Sequence, residues 1–186
     1  MSRLRIISGS ARGRKLKMVP GNFARPITDR VKEALFNILQ QDLRGCKILD
    51  LFAGTGSVGI EALSRGASFA RFVDRHKLAT ETIKHNLAVT EMEERAEILH
   101  MDAFSLLSRL PDKIFDYVYI APPQYHGLWK KALHSLDDSP QWLVDDGWII
   151  VQIDPKEYES MELKNFSEFD QRKYGSTLLV FFEREL

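Results

Sequence analysis

Beyond Gly45 the apolar residues follow two rhythms that take turns. Short, mostly apolar runs predict strands at Lys47–Phe52, Phe69–Val73, Ala96–Leu99, Asp116–Ile120 and Trp148–Ile153. Between them, apolar residues spaced three and four apart predict helices at Val58–Arg65, Leu78–Val89, Ala103–Leu110 and Trp129–Leu136. Strands that alternate with helices imply a parallel sheet covered on both faces, an α/β fold. The tail breaks the alternation. Phe166–Lys173 and Thr177–Glu183 read as two strands joined through Tyr174-Gly175-Ser176, a C-terminal β-hairpin.

The first part of the chain is patterned differently. Leu4 to Ser8 predicts a short strand, and residues 9–27 a glycine-punctuated basic loop with hairpin character. Thr28 is placed as the N-cap of a helix through Val31, Ala34, Leu35, Ile38 and Leu39, with Asp29 in its first turn. The expected division is a basic extension plus helix over residues 1–40 and a catalytic unit over residues 41–186.

Charge sharpens that division. The chain has 26 basic and 26 acidic residues and no formal net charge. Residues 1–32 nevertheless hold nine bases and one acid, Asp29, so that a +8 arm is attached to a −8 body. A basic arm with interleaved glycines suits a nucleic-acid backbone. Arg12, Arg14, Lys15, Lys17, Arg25 and Arg30 are the expected RNA contacts.

The 186 residues, 44% hydrophobic and 28% charged, have an ordinary globular composition. No apolar run reaches membrane-span length, and Met-Ser-Arg-Leu-Arg does not resemble a secretion signal. Cys46 is the single cysteine, and the five histidines lack metal-ligand spacing. A cytoplasmic protein is expected, with no membrane or metal partner, acting as a monomer.

The densest chemistry lies in Leu49-Asp50-Leu51-Phe52-Ala53-Gly54-Thr55-Gly56-Ser57-Val58-Gly59. A strand runs into a glycine turn and then a helix, whose unpaired N–H groups face the turn. The glycines alone also fit a nicotinamide dinucleotide site, and an oxidoreductase is the distant alternative. Asp50 argues otherwise. An acid repels a pyrophosphate but welcomes an ammonium, and S-adenosylmethionine carries an α-amino group, a sulfonium and no phosphate.

Ligands of such sheets sit beyond the carboxyl ends of the strands. Three further ends carry suitable residues. Asp74, with Arg75 beside it, can accept from a ribose diol. Asp102 can accept from an adenine amino group, with Ala103 and Phe104 flanking the ring. The fourth strand ends in Ala121-Pro122-Pro123-Gln124-Tyr125.

These residues resemble those of class I S-adenosylmethionine-dependent methyltransferases, and within them the bacterial 16S ribosomal RNA guanine-N2 methyltransferases. The resemblance covers nearly the whole chain. Its most specific parts are Arg5-Ile6-Ile7-Ser8-Gly9, Arg12-Gly13-Arg14-Lys15-Leu16, the run Arg25-Pro26-Ile27-Thr28-Asp29-Arg30 through Asn37, and the glycine loop with Gly59, Glu61-Ala62 and Ser64-Arg65-Gly66-Ala67. It implies a Rossmann-like, seven-stranded, mostly parallel sheet. It also implies S-adenosylmethionine held at its methionine end by Asp50, Phe52, Ala53, Gly54, Thr55 and Gly56, at its ribose by Asp74 and at its adenine by Asp102. The implied partner is ribosomal RNA or a small-subunit assembly intermediate. Removing residues 1–20 is expected to spare cofactor binding and abolish RNA methylation.

One departure stands out. The family's fourth motif is Asp or Asn, Pro, Pro, then Phe or Tyr, and Ala121 replaces the acid or amide. Pro122, Pro123, Gln124 and Tyr125 are the expected catalytic residues. Gln124 is expected to supply the missing acceptor and Tyr125 to stack on the target base. The alternatives are a catalytically weak or inactive RNA-binding assembly factor, or transfer to another base.

Overall fold

The computed structural model describes residues 4–21, 26–39 and 43–185. Arg25 of the expected RNA contacts lies outside them.

Seven strands form one sheet in the order β3-β2-β1-β4-β5-β7-β6. They are β1 (Lys47–Asp50), β2 (Phe69–Asp74), β3 (Ala96–His100), β4 (Phe115–Ile120), β5 (Leu143–Ile153), β6 (Phe166–Tyr174) and β7 (Thr177–Arg184). The first five pair in parallel, and β7 inserts antiparallel between β5 and β6. This is the seven-stranded Rossmann-like plan with its terminal hairpin. Strand order reverses at β1, between β2 and β4, and leaves a crevice beyond the carboxyl ends of those strands.

One face of the sheet is covered by α1 (Asp29–Leu39), α2 (Ser57–Ser64) and α3 (Lys77–Thr90), and the other by α4 (Ala103–Leu107) and α5 (Leu128–Asp138). Every residue of α2 is buried, because the helix is wedged between the sheet and the chain's first residues. Thr28 caps α1 as expected, its hydroxyl accepting from the Val31 amide.

The largest departures from the expected boundaries are at β5, α4 and the first strand. β5 begins at Leu143 rather than Trp148, because a bulge opposite Phe115 and Tyr117 carries Asp145, Asp146 and Gly147 along the sheet instead of turning them away. α4 stops at Leu107, three residues short, where Pro111 disfavours helix in the residue before it. The expected first strand is reduced to a single antiparallel bridge, Arg5 to Lys15.

That bridge closes a hairpin, with the Ile6 amide on Arg14 O at 2.9 Å and the Leu16 amide on Leu4 O at 2.9 Å. The hairpin is not a loose arm. Leu4, Ile6, Ala11 and Leu16 are buried in the same apolar cluster as α1, α2 and α3. Beneath them lies a charged knot. The fully buried Glu61 carboxylate accepts from the Ile7 and Ser8 amides at 2.9 and 3.0 Å and from Arg65 Nε at 2.9 Å. The fully buried Lys32 ammonium donates to Arg5 O and to Ser57 Oγ and lies 3.5 Å from Glu61. At Gly9 the chain passes so close to α2 that a Cβ would sit 1.8 Å from Ser64 O, and its φ of +86° is the left-handed value glycine tolerates. Removal of residues 1–20 would take away part of the core behind the glycine loop, which bears directly on the expectation that cofactor binding survives it.

Candidate active site

The glycine loop hangs from both neighbouring strands. The Leu51 amide donates to Tyr119 O on β4, and the Ala53 amide to Val73 O on β2. Gly54 and Gly56 take φ of +55° and +75°, which folds the loop over the start of α2. The amide of Asn86, on α3, holds it from behind. Its Nδ2 donates to Thr55 O at 2.9 Å and to Lys17 O at 3.0 Å, while its Oδ1 accepts from the Lys17 amide at 2.7 Å. The N-terminal hairpin and the glycine loop thus share one buried side chain.

A cavity of about 260 Å³ opens beside the loop. Asp74, Arg75 and His76 line it from the end of β2, Asp102, Ala103 and Phe104 from the end of β3, and Ala121 to Gln124 from the end of β4. Phe52 and Phe104 also line it and meet edge to face at 6.1 Å, with Lys131 Nζ 4.1 Å from the Phe104 ring centroid. A smaller recess of about 60 Å³ adjoins it, lined among others by Pro26, Ile27, Asp50, Ala53, Thr55, Ser57 and Tyr119. Phe52, Gly54, Ala121 and Gln152 border both spaces.

The three strand-end acids are differently employed. Asp74 binds the protein itself: Oδ2 accepts from the Gly54 amide at 2.9 Å and Oδ1 from the His76 amide at 2.8 Å. Asp102 caps α4, with Oδ1 accepting from Phe104 and Ser105 amides. Each carboxylate keeps lone pairs beyond those bonds. Asp50 is 1% exposed, and its Oδ1 has no hydrogen-bond partner among the described residues. Burial, and then the nearby charge of Asp74, push its pKa up to about 8, with the Gly59 amide opposing. Burial and then Asp50 raise the Tyr119 phenol well above its ordinary value, so its hydroxyl keeps its proton, which it donates to Gln152 Oε1.

At the mouth, Pro122 is buried, while Pro123, Gln124 and Tyr125 are exposed. Tyr125 has φ of +64°, and its hydroxyl donates to Asp154 Oδ2 at 2.7 Å while its amide donates to Glu157 Oε1 at 2.7 Å. Of the basic candidates, Arg12, Lys15, Lys17 and Arg30 are exposed. Arg14 is turned onto α3, donating to Val89 O at 2.8 Å and to Glu91 at 3.2 Å.

Val19, Leu128 and Gln152 line the cavity without having been expected there. Gln152 had one legible signal, its polarity amid the apolar run of β5. Lys32, Glu61 and Asn86 read as ordinary surface positions of amphipathic helices. Among the described residues no cluster of His, Cys, Asp or Glu is suited to a metal, and no helix is long and apolar enough to cross a membrane.

A doubly wound sheet with this terminal hairpin, a glycine loop preceded by an acid, and acids at the next two strand ends define a class I methyltransferase. Similarity to known proteins narrows the class. A family model described as "Conserved hypothetical protein 95" matches residues 4–183, and the chain belongs to that family. The "Ribosomal RNA small subunit methyltransferase D" of Escherichia coli (strain K12) is 33% identical over 184 residues, covering 98% of this chain and 90% of that one. YlbH of Bacillus subtilis (strain 168) is 42% identical over 153 residues, 81% of this chain and 83% of its own. The solved structure of the yhhF protein of Escherichia coli matches with a TM-score of 0.87 at 32% identity, covering 99% of both chains.

Proposed function

We propose that this protein transfers the methyl group of S-adenosylmethionine to the exocyclic N2 amine of a guanine in 16S ribosomal RNA, in the cytoplasm. The observation that carries the reading is the pairing of two features. A buried carboxylate oxygen of Asp50 awaits a cationic donor at the glycine loop, and the Pro122-Pro123 turn forms the mouth of the adjoining cavity. The name of the Escherichia coli relative supports ribosomal RNA of the small subunit as the substrate.

The residues fit the donor. Asp50 would hold the α-ammonium, with the Phe52-to-Gly56 loop and the first amides of α2 around the amino-acid portion. Asp74 and Arg75 would lie at the ribose, and Asp102, Ala103 and Phe104 at the adenine. When bound, the donor supplies an electrophilic methyl on a sulfonium sulfur.

The chain's own task is to prepare the nucleophile. A base amine is a weak nucleophile because its lone pair is delocalised into the ring. Acceptors that take its two hydrogens turn the lone pair out of the ring and offset the charge that develops on nitrogen. The Pro122 carbonyl is one such acceptor. Gln124 and Tyr125, at the mouth, would contact a base withdrawn from its stack. Arg12, Arg14, Lys15, Lys17, Arg25 and Arg30 would hold the RNA backbone by charge. In-line positioning supplies most of the acceleration.

Mass spectrometry of ribosomal RNA nucleosides from a strain lacking the protein tests the reading. Loss of one N2-methylguanine from 16S RNA, restored by the gene, is expected, and an unchanged nucleoside profile would refute it. A second reading, an assembly factor that binds RNA without transferring methyl, is favoured by one observation, the absence of a side-chain acceptor at Ala121. Transfer of label from the donor to small-subunit RNA by purified protein decides between them.

A further inference from the structure

Ala121 leaves an exocyclic amine one acceptor short, and the replacement must be dry and held in place to act electrostatically. Gln124 lies on the cavity wall but is exposed, so solvent competes for its amide. The neighbouring strand offers a better group. β4 and β5 pair in parallel up to Ile120 against Val151, so Ala121 and Gln152 are the next residues along, side by side at one height. Both line the main cavity and the recess beside it.

Gln152 is also fixed from behind. The Tyr119 hydroxyl donates to its Oε1. A hydroxyl has one proton, and this one is committed to Gln152, consistent with Asp50 Oδ1 being left without a partner. In that bond the oxygen end of the amide faces Tyr119. An amide oxygen has two lone pairs, so Oε1 still has one for a second donor.

We propose that Gln152 supplies the side-chain acceptor that Ala121 lacks, its Oε1 taking one N–H of the target amine while the Pro122 carbonyl takes the other. Tyr119 is a positioning residue that acts through Gln152. The proposal rests on the reading of the site as one for exocyclic amine methylation. The acceptor function has moved one strand across the sheet, onto a position where a long side chain spans the space that a short acid would fill from β4.

The test compares Gln152→Leu, Gln152→Glu and Tyr119→Phe with the natural protein. Two readouts are used: the rate of methyl transfer to small-subunit ribosomal RNA, split into kcat and KM, and the Kd of S-adenosylhomocysteine by calorimetry. Gln152→Leu is expected to lower kcat by about 100-fold with the calorimetric Kd within about twofold. Gln152→Glu, which keeps an acceptor oxygen, is expected to stay within about tenfold of natural kcat. Tyr119→Phe, which leaves the amide in place but unheld, is expected to lower kcat by about tenfold with Kd unchanged. If the natural protein and Gln152→Leu transfer methyl at similar rates, the proposal falls while the proposed function stands. Parallel loss of kcat and cofactor affinity in Gln152→Leu, unrelieved in Gln152→Glu, also overturns it. If Gln152→Leu does not fold, an unaltered kcat in Tyr119→Phe overturns it alone. A natural protein that labels no ribosomal RNA refutes the proposed function and this inference together.

Discussion

Asp50 decides more than any other single residue. It is buried with one oxygen unpartnered, and its pKa stands near 8 rather than at the ordinary 3.8. The sign of the linkage follows. Between about pH 4 and pH 8 the native state holds a proton that the unfolded chain has lost. Stability conferred by this residue therefore falls as pH rises through that window, by up to about 1.4 kcal/mol per unit, and levels off above it. Denaturant titrations of the natural protein and Asp50→Asn, from pH 5 to 9, should show the natural protein losing ground to the variant until about pH 8. A pH-independent difference would return the carboxyl to its ordinary range. A cationic ligand favours the ionised form, so binding of S-adenosylhomocysteine near pH 7 should release close to one proton. Calorimetry in buffers of different ionisation enthalpy reads this directly, and Asp50→Asn should abolish the buffer dependence.

At the scale of elements, the N-terminal hairpin, α1 and α2 act as one body. Lys32 on α1 and Glu61 on α2 are fully buried and face each other, with the hairpin's backbone completing their bonds. Burial pushes the Lys32 pKa down while Glu61 resists. A buried ion pair adds little over an apolar substitute, but removing one partner strands the other charge at a cost of about 3–5 kcal/mol. Lys32→Met should therefore lower Tm by on the order of 10 °C, read by calorimetric or fluorescence melting. The pair Lys32→Met/Glu61→Leu should recover part of that loss. Deletion of residues 1–20 should do comparable harm, since it exposes α2 and leaves Asn86 facing Thr55 without Lys17. A truncated protein that melts like the natural one would show the hairpin to be dispensable.

Over the whole molecule, charge and topology divide the work. The crevice at the β1 switch point collects residues from the ends of β1, β2, β3, β4 and β5 into one cavity. The hairpin places its exposed bases Arg12, Lys15 and Lys17 on a segment whose later residue Val19 lines that same cavity. Electrostatic docking of RNA and the site for the donor therefore share a boundary. Replacing Arg12, Lys15, Lys17 and Arg30 with Ala should weaken RNA binding and flatten its salt dependence by about 0.7–0.9 logarithmic units for each phosphate left without its neutralising base. Binding isotherms between 50 and 200 mM salt measure the slope. The Kd of S-adenosylhomocysteine should be unmoved, because none of the four lines the cavity.

What could be read from the chain alone was whatever repeats at short range. The alternation of apolar runs with helical spacing placed every strand of the parallel sheet, because its central strands are covered on both faces while the edge strand β3 is only partly buried. The glycine loop and the acids at Asp74 and Asp102 were legible for the same reason: turn, cap and strand end are local events. What joins distant segments was not. Nothing in the spacing of Lys32, Glu61 and Asn86 distinguishes them from solvated helix positions, and only packing buries them against a hairpin 50 or more residues from Glu61 and Asn86. Gln152 likewise meets Ala121 only because β5 lies beside β4 at that register. Side-chain chemistry is a property of a residue. Its pKa, its partners and its access to a ligand belong to the surroundings, and those exist only once the chain has folded.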